Sequence, residues 1–95
     1  MSETKNKKYI VRTERAGVFY AEIAERRGTE ADLVNARRVW QWKGATECIG
    51  LATSGCDVSS RLTVPANLTV LGVIEIHPCT PEAVKRLDAV PEWKL

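Results

Sequence analysis

Arg38, Trp40 and Trp42 recur at every second position of the stretch NARRVWQWKGA at residues 35–45. In an extended chain the side chains alternate between two faces, so these three share one face and Arg37 looks the other way. Indole faces stack on planar bases for about 1–3 kcal/mol each, and a guanidinium presents a fork that fits phosphate oxygens. A flat, phosphate-bearing ligand needs both. The plainer reading puts one tryptophan in the core, with Arg38 resting on its ring as a cation–π pair. The turn at 43–46, Lys-Gly-Ala-Thr, opens a helix whose first amides could hold an anion. Lone glycine turns before helices are usually only turns.

His77, Pro78 and Cys79 are the other residues that could do chemistry. The chain has one histidine, and its three cysteines (Cys48, Cys56 and Cys79) lack the close pairs of a structural zinc site. No metal or cofactor is expected. In a reducing compartment the cysteines are free thiols, with Cys48 and Cys79 the buried ones. His77 and Cys79 straddle a proline bend at a strand end, which is a poor frame for a nucleophile and its base. Glu75 lies in an apolar strand, where pairing with Arg12 or Arg38 is commoner than service as a base. With no phosphate loop, nucleophile elbow or zinc-protease motif, the chain is not expected to be an enzyme.

The elements that must carry these residues read as a small α+β domain. Residues 8–13 and 18–26 alternate as a hairpin around Ala16-Gly17. In the first strand Tyr9, Val11 and Thr13 lie on one face and Ile10 and Arg12 on the other. In the second, Phe19, Ala21 and Ile23 alternate against Val18, Tyr20 and Glu22. Gly28 turns the chain into a long third strand over residues 31–43. Leu33, Asn35, Arg37, Val39 and Gln41 fall on one face of that strand, and Val34, Ala36, Arg38, Trp40 and Trp42 on the other. Thr46 caps a short helix to about residue 53, with Cys48, Ile49, Leu51 and Ala52 inward and Gly55 as its stop. Residues 54–61 read as an exposed loop, and residues 62–64 as a short strand ended by Pro65. The apolar run LTVLGVIEIH at 68–77 reads as one central strand covered on both sides, with Gly72 as a bulge. Thr80, Pro81 and Glu82 start a final helix that buries Val84 and Leu87 and ends at Pro91, after which Trp93 folds back. The result is a strongly twisted antiparallel sheet of about five strands with one internal and one C-terminal helix. Residues 1–7 form a disordered tail, and residues 8–95 one domain.

Composition narrows the partners. A net charge of +2 across 14 basic and 12 acidic residues is too low for a dedicated duplex-DNA face but leaves room for a small anion. The N-terminal segment has no long apolar run, so neither a secretory signal nor a membrane span is expected, and the protein belongs in the cytoplasm. Ninety-five residues make a modest core, which oligomerisation would supplement.

Three blocks, KKYIVRTERAGVFYAEI, NARRVWQWKGA and GVIEIHPCTPEAVKRLDAVPEWKL, together resemble a family of small uncharacterised bacteriophage and prophage proteins. The likeness runs from Lys8 almost to the C-terminus. Gln41 departs from it, since an aromatic is common between the tryptophans, and so does TECIGLATSGC, where the relatives are richer in Leu and Ser. The resemblance implies a phage protein acting in the cytoplasm of the infected host bacterium. By analogy in kind with anti-defence sponges, it implies immune evasion by sequestering a nucleotide-derived signal of the cyclic nucleotide or cyclic ADP-ribose type without cleaving it. On that reading Trp40 and Trp42 stack on the ligand, Arg38, Arg37 and Arg61 hold its phosphate, Tyr20 contributes a further contact, and a second subunit completes the pocket. The alternatives are an inhibitor that grips a host protein through the same Trp/Arg surface, and an enzyme that degrades such a signal.

Overall fold

The structure is a computed structural model that describes residues 7–41, 48–56 and 61–92. Alternating apolar side chains build β1 (Tyr9–Thr13) and β2 (Val18–Arg27) into an antiparallel hairpin with Val11 opposite Phe19 and Ile10 opposite Tyr20. Gly17, at φ +106°, makes its turn, and its carbonyl accepts from the Thr13 amide at 3.0 Å. Gly28 turns the chain into β3 (Glu30–Gln41), which runs back along β2. Then follow α1 (Cys48–Ser54), β4 (Arg61–Leu62), β5 (Ala66–Val70), β6 (Val73–Pro78) and α2 (Pro81–Asp88). The strand order is β4-β3-β2-β1-β6, with β5 also paired to β3, and every pairing is antiparallel. This is the α+β fold expected, down to the short internal helix and the C-terminal one.

One expectation fails. The run at 68–77 is not a single central strand. It breaks at Leu71-Gly72, with Gly72 at φ +73°, into β5 on β3 and β6 on the far side of β1. β6 is an outer strand, and Ile74 stands exposed rather than covered. A left-handed glycine bends the strand more sharply than a bulge does, so β5 and β6 run the same way but on different neighbours, which hydrophobicity alone does not reveal.

This break forces the sheet to curl. In a flat sheet β5 and β6 would lie four strand spacings apart, about 19 Å. The link from Val70 to Val73 spans three Cα steps, at most about 11 Å. Curling closes the gap, and hydrogen bonds from the Glu14 amide to Gly72 O (2.8 Å) and from the Val73 amide to Thr29 O (2.9 Å) hold it closed. Two bulges supply the bend. Between Tyr20↔Arg37 and Glu22↔Val34, β3 carries one extra residue, and between Ile23↔Leu33 and Glu25↔Asp32, β2 does. The residue at the first bulge is Asn35, at φ +52°, whose amide donates to Asn67 Oδ1 at 3.0 Å.

The Asn35 bulge shifts the alternation of β3, correcting the expected faces. Leu33 shares its core with Ala36, not with Arg37 and Val39. Val11, Phe19, Ala21, Ala31, Leu33, Ala36, Val70 and Val73 fill the inside of the curl. Ile10, Tyr20, Val39 and Leu62 face outward against Leu51, Cys56, Ala83, Leu87 and Val90, in a second core beneath the helices.

The helices pack closely because Gly55 ends α1 against α2. A Cβ there would meet Arg86 Cβ at 2.7 Å, and its φ of +77° independently favours glycine. The Thr80 side chain caps α2 at Ala83 N (3.1 Å) as expected, and also donates to Thr53 O (2.6 Å) at the end of α1. Cys56, placed by sequence in an exposed loop, is buried between the helices and the sheet, while Cys79 is half-buried. Val84 is only partly covered, and Ala83 takes its place beside Leu87 in the buried stripe. The turn at 43–46, the cap Thr46 and Trp93 lie outside the described residues. No helix among them is long and apolar enough to cross a membrane.

Two measurements check this architecture. Asn35→Gly should leave stability nearly unchanged, while the β-branched Asn35→Val should lose about 1–3 kcal/mol, read by urea unfolding. Asp32 accepts both Arg27 Nη1 and Nη2 at 3.0 Å and the Thr69 hydroxyl at 2.7 Å, which together hold its carboxyl down to about 2. A carboxylate depressed on folding adds stability above its unfolded value and loses it as pH falls through the folded one. Melting temperature should therefore decline from about pH 4 towards pH 2, and Asp32→Asn should flatten part of that decline.

Candidate functional site

The two adjacent arginines of β3 part company at the bulge. Arg37 turns outward beneath the helices and is only 7 % exposed. Its Nε donates to Thr63 O at 2.8 Å, Nη1 to Leu87 O at 3.3 Å, and Nη2 to Val90 O at 2.9 Å and Pro91 O at 3.1 Å. Three of these carbonyls belong to the end of α2 and the residues just after it, where backbone acceptors are orphaned and the helix dipole is negative. Burial lowers the Arg37 pKa, while Glu92 and Asp88 nearby work to raise it. Tyr20, opposite Arg37 across the hairpin, is 1 % exposed, and its hydroxyl donates to Asp88 Oδ1 at 2.7 Å. Burial first, and then Asp88, push that phenol far above its ordinary range. Lys8 completes the cluster, with its ammonium 3.7 Å from Asp88 and 5.0 Å from the centre of the Tyr20 ring. Arg37 and Tyr20, both expected at the ligand, are thus engaged in holding α2 on the sheet.

Arg38 goes the other way. Its backbone is tied to Thr63 on both sides, with Arg38 N to Thr63 Oγ1 at 2.9 Å and Thr63 N to Arg38 O at 3.1 Å. Its exposed guanidinium lies over the Phe19 ring, 5.1 Å from the centroid. That stack holds the cation at one mouth of the curled sheet without neutralising it. Beside it runs a groove of about 550 Å³, with Ala16, Leu68, Val70 and Leu71 as apolar wall and Arg15, Arg38 and Glu14 on its rim. Neither guanidinium forms an ion pair with another described residue. The volume suits a nucleotide-sized ligand, and the lining combines apolar surface with cations. Trp40 follows two residues further along β3, and Arg61 opposes Gln41 in β4. The side chains of Trp40 and Arg61, and all of Trp42, lie outside the described residues.

Sequence reasoning missed the share of Arg15, Leu68 and Leu71 in this groove. Arg15 comes from the β1–β2 turn and Leu68 and Leu71 from β5 and its exit, and the curl brings the two segments together beside Arg38. A second groove of about 490 Å³ opens among Lys7, Tyr9, Glu22, Ile23, Arg26 and Ile76. Its acid and bases are of mixed sign, and Glu22 is held by Asn35 Nδ2 at 3.4 Å.

The groups around His77 are poorly set for chemistry. His77 Nε2 lies 2.8 Å from Glu75 Oε1, and Arg12 donates to Glu75 Oε2 at 3.3 Å. His77 first, with Arg12 assisting, keeps that carboxyl below its usual range, the opposite of what a general base at neutral pH requires. Burial pushes the Cys79 thiol up to about 12, away from a reactive thiolate.

The contrast between the two arginines is testable. Arg37→Lys keeps the charge but has no fork to span four carbonyls, so it should lose about 2–3 kcal/mol in chemical denaturation. Arg38→Ala should change stability by less than about 1 kcal/mol, since only a surface cation–π contact is lost.

No curated protein and no solved structure matched the chain. One protein family, described as Domain of unknown function (DUF6948), matches residues 6–87, which include all six strands, α1 and nearly the whole of α2. The chain belongs to that family.

Proposed function

We propose that the protein binds a small, flat, anionic ligand in the Arg38 groove and holds it without altering it. The ligand class is a nucleotide-derived signal, of the cyclic nucleotide or cyclic ADP-ribose type. Arg38 and Arg15 would meet its phosphate, the apolar wall of Ala16, Leu68 and Leu71 its ring, and Trp40, further along β3, would add a stacking face. In the cell this is sequestration of an immune signal by a phage-derived protein within the bacterial cytoplasm. The blocks quoted above, which resemble phage and prophage proteins, support that setting.

One observation carries the reading: the Arg38 guanidinium, stacked on Phe19 and without a carboxylate partner among the described residues, sits at the rim of a groove with an apolar wall. A stacked cation is already ordered before the ligand arrives, so binding loses less side-chain entropy than a free arginine would demand. A slow-releasing binder gains from such preorganisation. An enzyme would need in addition an acid, base or nucleophile poised over the same groove. Among the described residues its rim offers Glu14 as the one acid, and neither histidine nor cysteine.

The test is a thermal-shift series with cyclic dinucleotides, cyclic trinucleotides and cyclic ADP-ribose isomers. It is paired with mass spectrometry of small molecules released by heating protein that was expressed beside a signal-producing immune enzyme. A ligand at a hundredfold its Kd adds about 2.7 kcal/mol, roughly 10–20 °C for a domain of this size. Arg38→Ala should remove that gain while keeping the unliganded melting temperature. No gain with any of these ligands would sink the proposal, and recovery of a cleaved ligand would turn it into a degrading enzyme.

A further inference from the structure

Three large aliphatics stand exposed among the described residues, Val64 the least of them. Leu71 is 62 % exposed and Ile74 is 53 % exposed, and they flank the same left-handed glycine at the β5–β6 corner. Their exposure has a backbone cause. Thr13 pairs with Val73 and Arg12 with Glu75, so β6 carries one residue more than β1 at this point, and Ile74 is the extra one. A bulge re-aims the side chain it inserts, and here it aims an isoleucine outward. The outer edge of β6 beside it pairs with no other described strand. The strand carries no lysine, and its proline, Pro78, stands only at the far end. Edges left in this state are templates for another chain unless something covers them.

The surface next to this corner has the composition of a self-complementary contact. Leu71 and Ile74 offer an apolar projection beside the groove, and two copies can lay these projections against each other without filling it. Glu14 and Arg15 are consecutive, exposed and on the rim of that groove, and neither forms an ion pair with another described residue. A two-fold axis through the corner sets the two projections together and places Glu14 of one copy opposite Arg15 of the other. A patch holding both halves of every pair fits a second copy of itself better than a partner of single charge.

We infer that the Leu71–Gly72–Ile74 corner is an isologous dimer interface, in which a second copy of this chain lays its own corner against the rim of the Arg38 groove. The partner's Leu71 and Ile74 then wall the groove on the side that one subunit leaves open. This surface stands on exposure, bulge geometry and charge pattern, not on ligand chemistry. It also deepens the ligand-binding reading by supplying the missing wall.

The experiment is sedimentation velocity on the full chain at about 100 µM and below, where weak specific dimers still form. The wild-type protein should run at twice its 10.6 kDa mass. Leu71→Lys with Ile74→Lys should run as a monomer with an unchanged circular dichroism spectrum, because neither side chain is buried in the protomer. Glu14→Arg alone and Arg15→Glu alone should each raise the dimer dissociation constant about thirtyfold, the scale of one interface hot spot. An equimolar mixture of those two variants should restore dimers, since opposite charges then face each other at both contacts. A monomeric wild type, a dimer that survives the double lysine variant, or charge variants that fail to rescue each other would each overturn the interface. Ligand binding by such a monomer would leave the proposed function standing. A wild-type dimer that gives no ligand-dependent thermal shift would do the reverse.

Discussion

The fold hangs on a buried cation. Arg37 gathers the carbonyls of Thr63, Leu87, Val90 and Pro91 into one planar fork, joining β3, the chain just after β4 and the C-terminal end of α2. Leu87 O also receives the Val90 amide at 3.2 Å, and carbonyls buried without any partner would each cost about 1–3 kcal/mol. No carboxylate lies within ion-pairing distance of Arg37 among the described residues, so its charge is balanced by backbone dipoles. Lysine could not do this from a single point. The same helix is held from the other side by Tyr20, whose hydroxyl reaches Asp88. Burial of Leu87 and Val90 supplies the apolar part of the contact, and Arg37 fixes its register.

That anchoring works only because β3 is bulged. Had the alternation run unbroken from Leu33, Arg37 would share the interior of the curl with Phe19 and Val11, where no carbonyl is free to receive it. Asn35 inserts one residue, takes up a positive φ that its short polar side chain tolerates, and has its amide satisfied by Asn67. The four residues Asn35-Ala36-Arg37-Arg38 thereby acquire four distinct tasks. The first bends the strand, the second fits a small side chain inside the curl, the third caps α2, and the fourth is delivered to the groove at its mouth. The buried and the exposed arginine sit side by side because a strand points neighbours to opposite faces.

The curl also explains why the candidate site sits at a mouth and not over the sheet. Both faces of the sheet are occupied, the inner one by its own side chains and the outer one by α1 and α2. Space remains where the strands end, and the β5–β6 corner, the β1–β2 turn and the last third of β3 converge there. Gly72 makes that convergence possible, since its left-handed turn lets the chain leave β3 and join β1 within two residues.

Much of this was legible in the residues themselves. The alternation of Tyr9–Thr13 and of β2, the turns at Gly17 and Gly28, the Thr80-Pro81 start of α2 and the stop at Gly55 all follow from local preferences that hold in any context. Glu75, expected to pair with Arg12 or Arg38, takes Arg12 because β6 lies beside β1. The fate of the two arginines was not legible, because a bulge is decided by the registers of β2 and β5 against β3, and no local periodicity records them. Nor was the division of LTVLGVIEIH between opposite sides of the sheet, because hydrophobicity reports burial without saying beside which strand. Composition and local pattern determined that this chain makes a twisted antiparallel sheet with two helices. Tertiary pairing alone decided which arginine is buried and which stands exposed beside the groove, since each of those outcomes depends on strands paired from distant parts of the chain.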